Sequence, residues 1–178
     1  MRVLGVDPGS RRTGWGVVEK HGNRLTAIAH GCLVPPAQAE LPRRLAFLAA
    51  GVAEAIERHT PDCVVVEEAF YHENVRSTLV LGQVRGALIV TAVQHETEVH
   101  EYSPREIKMS VTGNGGATKE QVAFMVTRLL ALPEVPQADA ADALAGAICH
   151  LHRAGLPASR PKSDAARRLE ALLSRSTR

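Results

Sequence analysis

Cysteine and long apolar runs are both scarce in this sequence, and the two shortages exclude two kinds of protein. The three cysteines, at positions 32, 63 and 149, are odd in number and scattered among apolar neighbours. This pattern does not resemble a disulfide framework or a clustered zinc site, so the cysteines are interpreted as small core hydrophobes. No basic N-terminal region precedes a long apolar run, and no segment approaches the roughly 20 apolar residues that a membrane span needs. We therefore expect a cytoplasmic protein.

The length and the apolar content suit one globular domain with a substantial core, because the chain has 178 residues of which 45% are hydrophobic. The formal net charge of +2 is unevenly distributed, since residues 160–178 hold six Lys and Arg against two acids. We expect one domain over residues 1–155 and a basic, mobile tail over residues 156–178. Any site for a polyanion in the domain must then come from local clustering of charge.

Hydrophobic periodicity and turn residues predict alternating strands and helices, an α/β pattern. Strands are predicted at residues 2–7, 13–19, 25–33, 63–67 and 98–102. Helices are predicted after Pro42 to about His59 and at about 76–94, 104–111, 118–132 and 139–152.

The first strand ends on a carboxylate, Asp7, immediately before the turn Pro8-Gly9. The strand at residues 63–67 is apolar until it ends on Glu67, as is typical of a strand buried on both faces of a parallel sheet. If these two strands are parallel neighbours, Asp7 and Glu67 lie on the edge where α/β sheets bind ligands. The alternative is that the Asp7 side chain merely bonds its own backbone in the turn.

A second acidic pair, Asp139 and Asp142, is three residues apart and so shares one face at a predicted helix start. The alternative is a helix N-cap and a first-turn acid favoured by the helix dipole. Two carboxylates ~4 Å apart repel by about 4 kcal/mol at an effective dielectric of 20, so a cluster of all four acids requires cations. Mg²⁺ suits such a cluster, because it binds a few carboxylates and keeps water and phosphate as further ligands.

Four ordered segments resemble the successive motifs of the RuvC family of bacterial Holliday junction resolvases: "GVDPGSRRTGWGV", "VVVEEAF", "LGQVRGALI" and "PQADAADALA". The resemblance covers residues 2 to 153 and implies an RNase H-like fold, a five-stranded mixed sheet flanked by helices. It also implies that the catalytic carboxylates are Asp7, Glu67, Asp139 and Asp142. Relatives vary at the third position, where some carry His.

The same resemblance implies the chemistry. The site would hold two Mg²⁺ ions, which Mn²⁺ can replace. Asp7 would bind both ions. Glu67 would bind one of them, and Asp142, helped by Asp139, would bind the other. Hydrolysis of paired strands in a four-way DNA junction would leave 5′-phosphate and 3′-hydroxyl ends, in homologous recombination and DNA repair. A homodimer is expected, because a junction has two symmetric scissile strands and the chain has one set of acids. RuvA and RuvB are the further partners that the resemblance implies.

Two lysines are candidates for DNA contact. Lys108 and Lys119 match basic positions of the family and would contact phosphates. Thr118 and Gln121 form a Thr-x-x-Gln pattern, which predicts a capped helix start that can hold a phosphate. The alternative is an ordinary capped helix with solvated lysines.

Two of the chain's few aromatic residues, Phe70 and Tyr71, lie in the polar stretch "EEAFYHENVRS". Phe70 aligns with an aromatic that in the family inserts at the junction centre, and Tyr71 is a second candidate; the alternative is packing beneath the next helix. Because the family's glutamate lies three residues before that aromatic, the resemblance selects Glu67 over Glu68. The sequence pattern alone does not choose between them, and Glu68 is expected to be a solvated loop acid.

Three other functions are compatible with parts of the sequence. Asp-x-Gly-Ser after a first strand also occurs in actin-like ATPases, but these need two such domains. An RNase H-like nuclease acting on structured RNA and a junction-binding protein without catalysis remain the alternatives.

Overall fold

The structure is a computed structural model that describes residues 1–68 and 75–154. Its five strands are β1 (Arg2–Asp7), β2 (Thr13–His21), β3 (Arg24–Leu33), β4 (Cys63–Glu67) and β5 (Glu98–Tyr102). Its helices are α1 (Leu41–His59), α2 (Val75–Gln94), α3 (Pro104–Thr112), α4 (Lys119–Leu129) and α5 (Ala138–Arg153). The α/β class and the order of elements are confirmed. Helix α4 ends at Leu129, before the predicted end at residue 132. Ala131, just beyond the helix, adopts a left-handed conformation with φ of 49°. The predicted tail at 156–178 lies outside the described residues.

The strands form one mixed sheet in the order β3-β2-β1-β4-β5. Strands β1, β2 and β3 form an antiparallel meander, whereas β4 runs parallel to both β1 and β5. The expectation that the first strand and the strand at 63–67 are parallel neighbours is therefore confirmed. Because Val6 pairs with Val66, the next residues, Asp7 and Glu67, end their strands side by side.

Helices cover both faces of the sheet. Alternate strand residues such as Val3 and Val65 pack with α3, α4 and α5, and the residues between them, such as Leu4 and Val64, pack with α1 and α2. Side chains of a strand alternate between the faces, so Glu67 belongs to the same face as Val65 and therefore to the α5 face. Asp7 belongs to the same face as Val3. The register thus places both carboxylates on the side of α5.

Helix α5 lies almost directly on the backbone of β1 and β2. A Cβ atom at Gly5 would collide with the backbone carbonyl of Ala143, and one at Gly14 would collide with the carbonyl of Asp139. Glycine at these positions therefore allows a closeness that no larger residue permits. The N-terminal turns of α5, which carry both predicted aspartates, are brought next to the end of β1 by this contact.

Helix α2 is the exception to the expected lack of a long apolar segment. Its 20 residues are long and apolar enough to cross a membrane by length and composition alone, with 22% of the relevant window buried. A helix packed along one side against a protein core meets the same criterion, and Val84, Leu88 and Ala92 of α2 are buried against the sheet and α1. Other apolar residues of α2 are exposed: Val75, Leu79, Val90 and Val93.

Candidate active site

A cleft of about 350 Å³ opens at the carboxyl edge of the sheet. Three of the four predicted carboxylates, Asp7, Glu67 and Asp142, line it. The predicted lysines Lys108 and Lys119 line it as well. The cleft is completed by Pro8, Glu68, Leu81, Arg85, Pro104, Ile107 and Val122. The structure thus brings together acids that lie as far as 135 positions apart in the sequence.

Two acids of the cleft, Asp7 and Glu67, have raised pKa values and so resist ionisation. Burial, followed by the charges of Glu67 and Asp142, raises the pKa of Asp7 to about 8. Burial and the charge of Asp142 likewise raise the pKa of Glu67 to about 7, against the opposing effect of Lys119 and Lys108. Without a cation, Asp7 holds a proton at neutral pH. A divalent ion would displace that proton and remove the repulsion, so the donor set fits a hard, oxygen-binding cation.

The turn after β1 does not need the Asp7 side chain to hold its shape. The hydroxyl of Thr13 accepts a hydrogen bond from the Gly9 amide at 3.2 Å and donates one to the Gly9 carbonyl at 2.9 Å. Thr13, which is fully buried, was not selected by the sequence analysis. Its position at the start of β2, shortly after the Pro-Gly turn, was the sequence feature that could have indicated this role. Asp7 is therefore available to the cleft.

Lys119 and Asp142 are directly linked, because Lys119 Nζ donates a hydrogen bond to Asp142 Oδ2 at 2.8 Å. Lys119 is the first residue of α4, and the cap of that helix is the one predicted from the sequence. Thr118 Oγ1 accepts from the Gln121 amide at 3.3 Å, and Gln121 Oε1 accepts from the Thr118 amide at 2.9 Å. The Asp142 side chain is only 17% exposed, whereas that of Lys119 is 71% exposed. The lysine therefore screens the acid from the solvent side.

Asp139 lies at the margin of the site. It is not among the described residues that line the cleft, and its Oδ2 is 3.5 Å from Arg12 Nη1. It still contributes to the raised pKa of Asp7, with a smaller effect than Glu67 or Asp142. The alternative that Asp139 caps α5 is wrong, because the N-cap is Gln137. Asp142 is one turn further into the helix than the first-turn position considered for it.

Glu68 differs from its expected environment. The sequence suggested a solvated loop acid, but Glu68 is half-buried and lines the same cleft as Glu67. Its amide donates a hydrogen bond to the Tyr102 carbonyl at 2.9 Å, which continues the pairing of β4 with β5 by one residue. Strand alternation directs it away from the α5 face that Asp7 and Glu67 share.

Arg85 of α2 is a site residue that the sequence analysis missed. Its Nε donates a hydrogen bond to the Glu67 carbonyl at 3.3 Å, and its guanidinium forms an ion pair with Glu101. The signal was an arginine in the middle of a largely apolar stretch of helix. Arg85 anchors the end of β4 and so positions the Glu67 side chain. The aromatic candidates Phe70 and Tyr71 lie outside the described residues.

The fold and this site together define a class of protein. A five-stranded mixed sheet with acidic residues at the ends of two adjacent parallel strands, and more on a helix packed across them, is the arrangement of RNase H-like nucleases. A family model described as crossover junction endodeoxyribonuclease RuvC matches residues 3–150. The chain belongs to the RuvC family of nucleases.

Individual relatives agree with the family. The crossover junction endodeoxyribonuclease RuvC of Nitrosomonas eutropha is 54% identical over 152 residues, which are 85% of each chain. That of Geobacter sp. strain M21 is 48% identical over 158 residues, 89% of this chain and 96% of the relative. The structure of Thermus thermophilus RuvC in complex with Holliday junction substrate matches with a TM-score of 0.81 and 34% identity, covering 86% of this chain and 94% of that one.

Proposed function

We propose that the protein is a metal-dependent endodeoxyribonuclease that resolves Holliday junctions by paired symmetric nicks, in homologous recombination and DNA repair. The observation that carries the proposal is the convergence of Asp7, Glu67 and Asp142 in one cleft, where the pKa values of Asp7 and Glu67 are raised. Support for the substrate comes from the family description and from the matching structure of a relative bound to a Holliday junction.

Two Mg²⁺ ions, with Mn²⁺ as a substitute, are the proposed cofactors. Asp7 would bind both ions, Glu67 one of them, and Asp142 the other with help from Asp139. Bound there, the ions would lower the pKa of the attacking water and stabilise the leaving 3′ oxygen, so that hydrolysis leaves a 5′-phosphate and a 3′-hydroxyl. The carboxylate oxygens of this cleft are the ligand type that Mg²⁺ prefers.

The side chains around the acids have separate tasks. Lys119 and Lys108 would hold phosphate oxygens of the scissile strand, because both line the cleft and both counter the negative charge of Glu67. Arg85 positions the end of β4 through the Glu67 carbonyl. We propose that Phe70, and with it Tyr71, inserts between unpaired bases at the junction centre, as the resemblance implies.

A C2 homodimer would present two such clefts to the two scissile strands. Helix α2 offers the surface, because the apolar side chains of Leu79, Val90 and Val93 are exposed on it. Gly82 and Gly86 are also exposed, and a Cβ at either would have no described atom within 4 Å, so a second helix can approach closely there. RuvA and RuvB are proposed as further partners, and the cytoplasm as the location.

A cleavage assay tests the proposed function. A mobile four-way DNA junction, a linear duplex of the same sequence and a structured RNA would each be incubated with the protein, with Mg²⁺ or with EDTA. We expect paired nicks in the junction only and only with Mg²⁺, while gel-shift binding of the junction persists in EDTA because the lysines provide much of the affinity.

The matched control is Asp7→Asn, which should bind the junction and leave it uncut. Cleavage of the RNA in preference to the junction would favour a structured-RNA nuclease. Binding without cleavage under every metal condition would indicate a junction-binding protein. Equal loss of binding and cleavage in EDTA would contradict the division of roles between acids and lysines.

A further inference from the structure

Three metal-ligating side chains from three different elements meet away from the cleft. Cys63 is the first residue of β4, His100 lies in the middle of β5, and His150 lies near the end of α5. One ligand atom from each lies within 4.8 Å of the others. We propose that these residues form a second metal site, for a borderline-soft divalent ion, namely Zn²⁺.

The fold explains why the three residues meet. Cys63 pairs with Glu98 and Val65 pairs with His100 in the parallel register of β4 and β5. Cys63, Val65 and His100 therefore project from the same face of adjacent strands, and Cys63 and Val65 pack on the α5 side. Helix α5 then brings His150 onto them, with the imidazole rings of His100 and His150 4.3 Å apart between centroids. No local sequence motif is involved, which is why the cysteine spacing gave no indication of such a site.

This cluster is separate from the carboxylate cleft. Cys63 and Glu67 occupy opposite ends of β4. Four residues of extended strand span about 13 Å. None of the three ligands is among the described residues that line the cleft. An ion held here would therefore not contact the acids of the nuclease site.

The distances between the three ligand atoms are close to those in a zinc site. In a tetrahedral site with Zn–S of ~2.3 Å and Zn–N of ~2.0–2.1 Å, the ligand atoms lie about 3.5 Å from one another. Because the three ligand atoms lie within 4.8 Å of one another, reaching that spacing requires movements of roughly 1 Å. Thiolate and imidazole are both ligand types that Zn²⁺ binds, whereas Mg²⁺ prefers oxygen ligands.

The protonation state of His150 suits a metal ligand, whereas that of Cys63 would change on binding. Burial, and then the neighbouring His100, lowers the pKa of His150 to about 4, so its imidazole is neutral at pH 7 and can bind an ion directly. Burial raises the pKa of the Cys63 thiol to about 12, and a bound ion would deprotonate it, so binding releases a proton. The Tyr102 hydroxyl lies 2.9 Å from His150 Nδ1, which leaves Nε2 for the ion. Such an outer partner commonly orients a ligating histidine.

An ion can enter from the surface, and a fourth ligand is near. Cys63 and His150 are buried, but the His100 side chain is 32% exposed. Glu98 Oε1 lies 3.4 Å from His100 Nε2, and Glu98 is paired in register with Cys63. Glu98 or a water molecule would complete the tetrahedron. The bound ion would then cross-link β4, β5 and α5, the helix that carries Asp139 and Asp142.

Cobalt(II) spectroscopy tests the proposal with the full chain, reduced and stripped of metal. Co²⁺ replaces Zn²⁺ with the same geometry, and a bound thiolate gives a near-ultraviolet charge-transfer band that carboxylate ligands do not give. We expect a band that saturates at one equivalent and disappears when Zn²⁺ is added. Cys63→Ser and His100→Gln should weaken Co²⁺ binding by more than about 100-fold, since even outer-shell changes cost about 10–100-fold.

Two control variants separate this site from other binding. Cys32→Ser removes a half-buried cysteine outside the cluster, and Asp7→Asn removes a ligand of the cleft; both should keep the band. With excess Mg²⁺ present in every sample to occupy the cleft, Zn²⁺ should raise the Tm of the wild type and of both controls, and not that of Cys63→Ser. If Cys63→Ser fails to fold, the His100→Gln variant provides the test, because His100 is partly exposed. Absence of the band in the wild type, its persistence in His100→Gln, or its loss in Asp7→Asn would overturn the proposal.

Discussion

The ammonium group of Lys119 donates a hydrogen bond to Asp142 Oδ2 at 2.8 Å, and this contact joins the start of α4 to the acidic end of α5. The same positive charge opposes the rise in the pKa of both Asp7 and Glu67. One lysine therefore acts on three carboxylates of the cleft. For Asp7 and Glu67 it favours the ionised forms, which are the forms that bind cations.

Removal of this charge should impair cleavage in a pH-dependent manner. In Lys119→Met the pKa values of Asp7 and Glu67 rise further, so we expect junction cleavage at pH 7 to fall by about tenfold or more, with partial recovery at higher pH. Single-turnover cleavage from pH 6.5 to 9 measures this. Arg128→Met, on the last turn of the same helix, is the control and should keep the wild-type profile. A uniform loss at every pH would instead indicate a role in phosphate binding alone.

Glu67 and Glu68 provide a matched pair of neighbouring acids. Glu67→Gln should abolish strand cleavage and leave junction affinity equal or higher, because one negative charge near phosphate is removed. Glu68→Gln should cleave within a few-fold of wild type, because Glu68 faces away from α5. Single-turnover cleavage of both variants on one junction at saturating Mg²⁺ measures the difference. An inactive Glu68→Gln with an active Glu67→Gln would show that the wrong glutamate had been assigned.

The metal-free protein should lose stability as the pH rises from 6.5 to about 8. The folded-state pKa values of Asp7 and Glu67 are about 8 and about 7, above their ordinary values, so the native state binds more protons than the unfolded state in this range. The contribution of these groups is fully present below their unfolded pKa values and is lost as the pH rises through the folded ones. His150, whose pKa is lowered to about 4, affects stability only below its ordinary value of 6.5.

Thermal unfolding in EDTA across that range measures the effect. Asp7→Asn should show a weaker decline, and Mg²⁺ should raise the Tm most at the upper end, where the carboxylates are ionised. A wild-type Tm that rises over the range, or an Asp7→Asn slope equal to that of the wild type, would contradict the prediction.

The close approach of α5 to the sheet should be intolerant of a single methyl group. Gly14→Ala would push the added Cβ into the carbonyl of Asp139, so either β2 or the start of α5 must move. Overpacking of this kind costs about 1–3 kcal/mol, and we expect cleavage to fall further than stability because the aspartates are displaced. At Gly116 a Cβ would meet one described atom, Asn114 Oδ1, at 3.4 Å, so Gly116→Ala is the control. Normal cleavage by Gly14→Ala would show that the acids tolerate this shift.

A charge on the exposed apolar side of α2 should separate the proposed dimer. Val93→Glu places a carboxylate at a residue that is 61% exposed, so the monomer should fold normally. Light scattering should report a monomer, and junction cleavage should change from paired nicks to single, uncoordinated ones. Ile28→Glu, an exposed apolar position on β3, is the control. A variant that remains dimeric would place the interface elsewhere.

The sequence by itself determined where strands and helices form and which polar groups lie at their ends. The apolar runs before Asp7 and Glu67, the capping pattern of Thr118 and Gln121, and the spacing of Asp139 and Asp142 are local features. They depend on contacts within a few residues, so they can be derived from the order of the amino acids. The arrangement of strands and the family also followed, the latter from four ordered motifs.

Only the tertiary structure decided which side chains share a surface. Strand alternation alone did not show whether Glu67 or Glu68 faces α5. The packing of Cys63 and Val65 against α5 showed that Glu67 does. Asp139 was expected to help Asp142 hold an ion, but the structure places it at the margin, beside Arg12, which is 127 positions away in the sequence. The meeting of Cys63, His100 and His150 has no sequence signal at all, because contacts between distant residues arise from register and helix docking, which no short stretch of chain encodes.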